Sequence, residues 1–279
     1  MFSGTEVSEV RSVAVDSSGN VYTTGIFGGT VDFDPGAGTT NLTSNGDYDV
    51  FVSKLDSSGD LVWAKSFGGT NREAGYSVAV DSSGNVYTTG YFMFTVDFDP
   101  GAGTTEFTSA GGYDAFVSKL DSSGDLVWAK SFGGTNADRG YSVGVDSSGN
   151  VYTTGTFWDT VDFDPGAGTT NLTSVGTGDM FVSKLDSSGN LVWAKSVGSA
   201  IGSQTAKSVA VDSSGNVYTT GYFQDTVDFD PGAGTTNLTA DGRDVFVSKL
   251  DSSGDLVWAK SFGGTNNDDG YSVAVDSSG

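Results

Sequence analysis

Apolar and polar residues alternate along short stretches of this chain, and turn-forming residues separate the stretches. The first two, SVAVD at 12–16 and VYTTG at 21–25, flank the turn SSGN. Two more, DVFVSKL at 49–55 and LVWAKSF at 61–67, flank a turn built on SSG. A period of two residues is typical of β-strands with one buried face, and helical periodicity is absent. The pattern therefore predicts two β-hairpins, joined by the longer loop VDFDPGAGTTNLTS.

This four-stranded pattern is repeated along the chain. The tetrapeptide DSSG occurs nine times at alternating long and short intervals, which sum to a repeat of about 65 residues. SVAVDSSGNVYTTG, with one Ala replaced by Gly in the third copy, recurs in every full repeat. We predict a single repeat array over residues 1–279, with blades at approximately 12–76, 77–141, 142–207 and 208–271 and a partial fifth repeat at 272–279.

One four-stranded sheet cannot bury both of its faces, whereas stacked copies of it can. Four strands per repeat, arranged radially, describe the blade of a β-propeller. The alternative is a β-solenoid stack, although solenoid coils are usually shorter and do not need two tight hairpins per turn. We therefore predict an all-β fold, a β-propeller built from near-identical four-stranded blades.

The same residues carry a family resemblance. The run DVFVSKLDSSGDLVWAKSFGGT, followed by YSVAVDSSGNVYTTG, resembles the bacterial SBBP repeats, which are named for a seven-bladed β-propeller. It also resembles the NHL type of blade, in which the equivalent of SVAVD is the innermost strand. The resemblance covers nearly the whole chain, and it implies an extracellular or cell-surface propeller. The chain departs from the family in having four repeats and a fraction, so a closed four-bladed ring, part of a longer array and a protomer completed by another chain all stay open.

Two copies of the first strand, at 12–16 and 272–276, lie at opposite ends of the array. In a closed ring of four blades they would compete for one position. A spare strand could instead pair with an exposed sheet edge of a second chain, which would give head-to-tail assembly into a ring or filament. A truncated repeat boundary is the alternative interpretation.

Charge and composition restrict the partners and the chemistry. Acidic residues outnumber basic ones 35 to 13, and a net charge of −22 disfavours nucleic acids and anionic membranes. No stretch approaches the roughly 20 apolar residues of a membrane helix, and the N-terminal MFSGTEVSEV lacks the features of a signal peptide. The absence of Cys and His removes thiol nucleophiles, Cys/His metal sites and histidine acid–base catalysis. We predict no nucleic-acid partner, no membrane insertion and no required cofactor.

Three segments differ between repeats: the residues after VYTTG, the residues before the third strand, and the link to the next repeat. In an up-and-down blade all three lie at one end, and the nearly constant DSSG turns lie at the other. Binding sites are usually built from such variable loops, although loops also drift without function. The candidate binding residues for a protein or glycan partner in these segments are Tyr91, Phe94, Trp158, Tyr222, Arg72, Arg139 and Arg243.

Paired aspartates recur in the VDFDPGAG segment. Acids at positions i and i+2 of an extended segment point the same way, and carboxylates with loop carbonyls suit Ca²⁺. The segment lacks the complete calcium-loop pattern, however, and Asp also caps backbone amides in turns. A Ca²⁺ site and an acidic turn both stay open for the following pairs: Asp32 and Asp34, Asp97 and Asp99, Asp162 and Asp164, Asp228 and Asp230.

Three functional hypotheses follow. The first is a non-enzymatic extracellular or cell-surface scaffold for structural assembly or partner binding, with self-association through the spare strand. The second is a carbohydrate-binding propeller, in which Tyr91, Trp158 and Tyr222 would stack on sugars. The third is a hydrolase; a catalytic acid pair needs two different environments, whereas the repeated aspartates have four equivalent ones. We therefore predict that the chain is not an enzyme.

Overall fold

In the computed structural model, residues 7–276 are described, and they form β-strands and turns without a helix. Each repeat folds as a four-stranded antiparallel sheet whose strands are hydrogen-bonded in chain order. The predicted all-β fold with propeller-like blades is confirmed. None of the described residues belongs to a helix of the length and apolarity needed to cross a membrane.

Blades 1 and 2 contain six strands each, four in the main sheet and two in a small hairpin. Blade 1 comprises β1 (Ser8–Val15), β2 (Val21–Phe27), β3 (Thr30–Asp32), β4 (Asn41–Thr43), β5 (Asp49–Leu55) and β6 (Leu61–Phe67). Blade 2 comprises β7 (Ala74–Val80), β8 (Val86–Phe92), β9 (Thr95–Asp97), β10 (Glu106–Thr108), β11 (Asp114–Leu120) and β12 (Leu126–Phe132).

Blade 3 has the same six strands, whereas in blade 4 the small hairpin is continuous with the central strands. Blade 3 comprises β13 (Arg139–Val145), β14 (Val151–Phe157), β15 (Thr160–Asp162), β16 (Asn171–Thr173), β17 (Asp179–Leu185) and β18 (Leu191–Val197). Blade 4 comprises β19 (Thr205–Val211), β20 (Val217–Asp228), β21 (Asn237–Leu250) and β22 (Leu256–Phe262).

The small hairpin corrects the prediction that VDFDPGAGTTNLTS is a loop. In blade 1, Val31 pairs with Leu42 across the hairpin. Val31 and Phe33 are buried together with Phe27 and Phe51, so the hairpin folds back onto the main sheet. Burial of these apolar side chains stabilises a strand pair of only three residues each. The alternating Val31 and Phe33, rather than the aspartates between them, therefore determine the structure of this segment.

The first strand of every blade begins three to four residues before the predicted start, because a β-bulge interrupts its alternation. In blade 2 the register shifts between Gly75 and Ser77. The bulge turns the Ala74 carbonyl oxygen over Gly90 of the neighbouring strand, where a Cβ atom would overlap it. The glycine of VYTTG is therefore required by close backbone approach. The bulge residues of the four blades are Arg11, Tyr76, Tyr141 and Lys207.

The DSSG turns are held by their aspartate. Asp16 Oδ1 accepts hydrogen bonds from the amides of Ser18 and Asn20, at 2.9 Å each, while Gly19 adopts a φ of 82°. The Asn20 side chain and the Tyr22 hydroxyl donate to Oδ2. These hydrogen bonds, that from the Asn20 side chain first, lower the pKa of Asp16 to about 2. The constant end of each blade thus consists of turns held by Asp hydrogen bonds and a left-handed Gly, as predicted.

The described chain divides into two compact units, with the boundary between Ser131 and Phe132. In the first unit, blade 1 packs on blade 2 through Phe67, whose ring lies 5.2 Å from Phe98 and 5.5 Å from Phe116. Trp63 Nε1 donates to the Ser122 carbonyl oxygen across the same interface at 3.1 Å. The repeated tryptophan therefore contributes to blade-to-blade packing here.

The second unit contains blades 3 and 4. Val197, at the end of blade 3, packs in a cluster with Phe229 and Phe246 of blade 4. Trp193 Nε1 donates to the Ser252 carbonyl oxygen at 3.2 Å, as Trp63 does to Ser122 in the first unit. The two units thus use equivalent contacts within themselves.

Residues 272–276 were predicted as a first strand, but they form none. They are nevertheless seated on blade 4. The Val273 amide donates to Ser208 Oγ at 3.2 Å, as the Val78 amide does to Ser12 Oγ between blades 1 and 2. Residues 277–279, which carry the rest of the predicted fifth repeat, lie outside the described residues.

Candidate functional site

The strand topology brings the variable segments together at one end of each blade. Of the 13 basic residues, eight are the lysines repeated in the strands, two per blade. Among the other five, Arg11, Arg72, Lys207 and Arg243 lie over tyrosine rings at the variable end, and Arg139 begins β13 opposite Thr156. We call the resulting groups the tyrosine–cation clusters, one in each compact unit.

The cluster of the first unit combines four tyrosines with two arginines. The Arg11 guanidinium carbon lies 4.6 Å from the centre of the Tyr76 ring, and that of Arg72 lies 4.7 Å from Tyr48. Tyr91 connects the group, because its ring centre is 5.6 Å from Tyr76 and 4.5 Å from Tyr113. Tyr91 itself is buried, whereas Arg72 is exposed. Cations held flat on aromatic rings form an ordered, partly exposed surface.

The cluster of the second unit is built from the bulge residues Tyr141 and Lys207 together with Tyr222 and Arg243. Lys207 Nζ lies 3.9 Å from the centre of Tyr141 and 5.9 Å from that of Tyr222. The Arg243 guanidinium carbon lies 4.3 Å from the same Tyr222 ring. Its terminal nitrogen forms an ion pair with Asp269 at 2.9 Å. Both clusters therefore place positive charge beside aromatic surface in a strongly acidic chain.

The structure separates the candidate binding residues into two groups. Tyr91, Tyr222, Arg72 and Arg243 belong to the clusters just described. Phe94 and Trp158 lie instead before the small hairpins: Phe94 is 49% exposed, and the Trp158 ring packs against the backbone of Gly178. The seventh candidate, Arg139, begins β13 opposite Thr156.

Sequence reasoning missed the residues in the β-bulges, Arg11, Tyr76, Tyr141 and Lys207. A bulge re-aims the side chain that occupies it, and here it aims these residues at the neighbouring blade. Alignment of the repeats on SVAVD contains the signal, because the preceding position is a cationic residue or a tyrosine in every copy. In a single repeat this position is not recognised as part of the strand, because the alternating pattern begins one residue later.

Buried acids in the links between blades were also missed. In blade 1, Asp49 accepts a hydrogen bond from the Asn45 amide at 3.0 Å, and Glu73 accepts one from the Gly69 amide at 2.8 Å. Both side chains are fully buried. Burial raises the pKa of Asp49 to about 6. Burial, with a contribution from the negative charge of Asp49, raises the pKa of Glu73 to about 7.

Equivalent acids organise the later links. Asp138 accepts hydrogen bonds from the Gly134 amide at 2.7 Å and the Trp158 amide at 2.9 Å, and burial raises its pKa to about 6. Gln204 takes this position in the following link and accepts from the Ser199 amide. In the first link, Gly68 is the first glycine of the Gly-Gly segment, and it makes room for Asp49. A Cβ atom on Gly68 would overlap the Asp49 carboxyl group. Perturbed pKa values often mark active sites, but these carboxyl groups are enclosed and hold the backbone of the links.

The repeated aspartate pairs also bind backbone amides. Asp32 Oδ1 accepts from the amides of Asp34 at 3.0 Å and Thr40 at 2.8 Å, and these bonds lower the pKa of Asp32. Asp34 Oδ1 accepts from the Gly36 amide at 2.7 Å. The same bonds recur at Asp97 and Asp99, Asp162 and Asp164, and Asp228 and Asp230. Across residues 7–276, no group of three or more acidic side chains is arranged to hold a metal ion.

Chelation is therefore expected to leave the thermal melting temperature unchanged, because amide hydrogen bonds already hold these turns. The measurement is a circular dichroism melt with and without excess EGTA. As a positive control for turn disruption, Asp32→Ala should lower the melting temperature in both conditions. A melting temperature that falls on chelation and recovers when Ca²⁺ is added would instead establish a calcium site.

Three segments of the chain, residues 62–91, 127–156 and 192–222, match the family model for the SBBP β-propeller repeat. The chain contains repeats of the SBBP family. Each SBBP match runs from the fourth strand of one blade to the second strand of the next. In the first two matches the segment therefore includes the Gly-Gly link, a buried acid, the bulge and one DSSG turn. The third match has the bulge and the DSSG turn, but Gly198-Ser199 replaces Gly-Gly and Gln204 replaces the acid.

Curated relatives of this SBBP-repeat chain are much longer proteins. It is 26% identical over 249 residues to an uncharacterized WD repeat-containing protein of Acanthamoeba polyphaga mimivirus, covering 77% of this chain and 18% of that one. It is 30% identical over 152 residues to the regulatory protein FlaEY of Caulobacter vibrioides, covering 53% of this chain and 15% of that one. The chain thus spans less than a fifth of either relative.

Among solved structures, a protein of unknown function from Bacteroides caccae aligns with 86% of this chain and 93% of its own length at 10% identity. The TM-score is 0.25, which is too low to show a shared fold. The assignment to propeller-like blades rests on the SBBP repeats and the sheet topology.

Proposed function

We propose that this chain is a non-enzymatic propeller scaffold that binds a protein partner through the variable end of its blades. The observation that carries the proposal is the placement of the non-repeated cations on tyrosine rings at that end. The opposite end is occupied by the aspartate-held DSSG turns, and its surface hardly varies between blades. Its curated relatives, described as WD repeat-containing and regulatory proteins, agree with a binding role.

Tyrosine and arginine favour a protein partner, because they are enriched among the residues that dominate binding energy at protein interfaces. In each cluster the cation is held in place by the ring, which lowers the entropy lost on binding. The net negative charge of the chain repels anionic partners at long range. The clusters would therefore provide specificity through short-range contacts with a partner's surface. They form a small basic and aromatic surface on an otherwise acidic molecule.

Backbone strain at Phe94 gives further support. Phe94 has a left-handed φ of 60°, whereas Gly29 holds the equivalent position in blade 1 at 64°. A bulky residue in this conformation costs on the order of 1 to 3 kcal/mol. Glycine would avoid that cost, yet this position carries an exposed aromatic ring. We attribute the retained phenylalanine to a role in the binding surface.

The carbohydrate-binding hypothesis is less well supported. Sugar stacking needs an open ring face, whereas Tyr91 is buried and Tyr222 has the Arg243 guanidinium over its ring. The Trp158 ring packs against Gly178. A glycan array tests this hypothesis directly, and specific binding of one sugar class would favour it over a protein partner.

The proposal includes an extracellular or cell-surface location, which the resemblance to SBBP proteins implies. A cysteine-free chain does not depend on the redox state of its compartment for folding. Digestion of intact producing cells with an external protease, followed by immunoblotting, tests the location. Protection from the protease until lysis would place the protein inside the cell.

Substitution of the cluster arginines should weaken peptide binding at the variable end. We would select peptides from a random phage-displayed library on the wild-type chain and measure their affinity by interferometry. In the double variant Arg72→Ala, Arg243→Ala, affinity should fall at least about tenfold, because each change removes a hot-spot type of residue.

The matched control is the double variant Lys54→Ala, Lys249→Ala. These lysines lie over Tyr22 and Tyr218 at 5.4 Å and 4.9 Å, so they make the same type of contact near the DSSG end. Affinity should be unchanged in this control. Equal loss in both variants, or in neither, would contradict binding at the variable end.

A further inference from the structure

Three arginines belong to the tyrosine–cation clusters, and two of them are already neutralised by carboxylates of this chain. Glu9 pairs with the Arg11 guanidinium at 3.1 Å, and Asp269 pairs with that of Arg243 at 2.9 Å. The side chains of Arg11 and Arg243 are partly buried, with exposed fractions of 19% and 27%. In each cluster, an arginine stacked on a tyrosine ring therefore binds a carboxylate.

The two carboxylates come from the same position of the repeat. Glu9 and Asp269 each stand three residues before the SVAV motif, and the link between blades 1 and 2 has Ala74 at this position. Ala74 is buried and has no charge with which to neutralise Arg72, the third arginine, which lies exposed in the same link. Among the described residues, no carboxylate forms an ion pair with Arg72. A carboxylate for Arg72 therefore has to come from another molecule.

Arg72 is exposed, yet the structure holds it in place. Its guanidinium carbon lies 4.7 Å from the centre of the Tyr48 ring. The backbone on both sides of Arg72 is bonded to Tyr48: the Tyr48 amide donates to the Asn71 carbonyl oxygen at 3.3 Å, and the Glu73 amide donates to the Tyr48 carbonyl oxygen at 2.9 Å. Tyr48 in turn packs against the buried apolar group that contains Ala74. A cation ordered in this way loses little entropy when it binds a ligand.

We propose that Arg72 binds a carboxylate from an acidic segment of the protein partner, an inference that rests on the proposed function. The ion pair between Arg243 and Asp269 is the example within this chain, because there too a link segment presents a carboxylate to an arginine stacked on tyrosine. A guanidinium can bind a carboxylate through two parallel hydrogen bonds, which makes the contact strong and directional. The partner's acidic residue takes the role on Arg72 that Asp269 has on Arg243.

The net charge of −22 opposes an acidic partner at long range but does not prevent this contact. At physiological ionic strength, exposed charges farther apart than about 8 Å are largely screened. A carboxylate in contact with Arg72 lies well within that distance. Glu73, the next residue along the chain, does not compete for Arg72, because its side chain is buried and accepts a hydrogen bond from the Gly69 amide. The segment that fits has one or a few acidic residues among uncharged ones.

The peptides selected on the wild-type chain from the phage-displayed library test this contact. They should contain Asp or Glu more often than the unselected library, and replacing that acid by Asn or Gln should weaken binding at least about tenfold. Arg72→Gln should cause the same loss with the acidic peptide and none with its amide form, because both changes remove one contact.

Lys54→Gln is the matched control. Lys54 lies over the Tyr22 ring in the same compact unit, near the DSSG end, and its substitution should leave the affinity unchanged. Because Arg72 is exposed, Arg72→Gln should melt at the wild-type temperature when followed by circular dichroism. The loss of affinity then reports the contact and not the fold.

The outcomes separate this inference from the proposed function. The carboxylate contact is overturned by selected peptides without an excess of acids, by unchanged affinity of Arg72→Gln, or by effects of the two changes that simply add in the free energy of binding. Each of these results leaves the proposed function intact if the double variant Arg72→Ala, Arg243→Ala still loses affinity. Full affinity in that double variant, or a library that yields no binding peptide, contradicts both.

Discussion

Gly90→Ala should destabilise the protein by about 3 kcal/mol or more, the upper range for overpacking a rigid site. The added Cβ atom would overlap the Ala74 carbonyl oxygen and lie 3.0 Å from the Phe116 ring. The carbonyl cannot move aside, because the bulge at Tyr76 orients it and the flanking residues are held in the strand ladder. The measurement is the urea midpoint, followed by circular dichroism.

Gly144→Ala is the matched control, since it makes the same chemical change in β13, the first strand of blade 3, whereas Gly90 lies in the second strand of blade 2. A Cβ atom on Gly144 would find no other atom closer than 3.7 Å, and the other repeats have alanine there: Ala14, Ala79, Ala210 and Ala274. This variant should be more stable by about 0.4 to 1 kcal/mol, because alanine restricts the unfolded chain. If both variants unfold at the wild-type midpoint, the close approach at Gly90 does not constrain the fold.

The protein should become more stable as the pH falls from about 9 to about 5. Burial raises the pKa of Glu73 to about 7 and that of Asp49 to about 6. A group whose pKa is higher in the folded state stabilises the fold while it is protonated, and that stability is lost as the pH rises through its folded pKa. For Glu73 the raised pKa corresponds to a loss on the order of 3 kcal/mol at alkaline pH.

At lower pH the direction reverses. The pKa of Asp16 is lowered to about 2, and the pKa values of four further DSSG aspartates are also lowered: Asp81, Asp146, Asp186 and Asp212. The contribution of these five carboxylates is present above the unfolded pKa of Asp and is lost as the pH falls through their folded pKa values. Stability should therefore be maximal near pH 4 to 5, as measured by urea unfolding across the pH range.

Glu73→Gln isolates the buried acid. Gln204 shows that an amide fits the equivalent position, where its oxygen accepts from Ser199 N and its nitrogen donates to Ser199 Oγ. The variant should be more stable than the wild type at pH 8 and equal to it at pH 4.5. The reciprocal change Gln204→Glu should destabilise at pH 8 only. Effects of the same size at every pH would show that Glu73 does not titrate in the folded state.

The local elements were largely predictable from the sequence. The third and fourth strands of blade 1 were predicted with their observed bounds, Asp49–Leu55 and Leu61–Phe67. The DSSG turns were predicted from the chemistry of Asp and Gly, and the structure forms them with that chemistry. Both depend on contacts between residues close in sequence, which a repeated motif specifies again in every copy.

The candidate site was only partly predictable. Arg72, Tyr91, Tyr222 and Arg243 stood out because they vary between repeats, and they belong to the tyrosine–cation clusters. Arg11 and Lys207 were missed because the bulge obscures their strand position. Asp49 and Glu73 were missed because their burial depends on packing of the link against the sheet, and their sequence neighbours resemble an ordinary polar loop.

The sequence by itself determined the repeat, the strand type and the turns, because alternation, turn propensity and copying are local properties. Only the tertiary structure decided which side chains the bulges bring together, which acids lose contact with water, and which blade faces are uncovered. These outcomes depend on contacts between residues far apart in the chain. The equivalent residues Phe67 and Phe262 therefore differ in burial: Phe67 packs against Phe98 and Phe116 and is buried, whereas Phe262 is exposed.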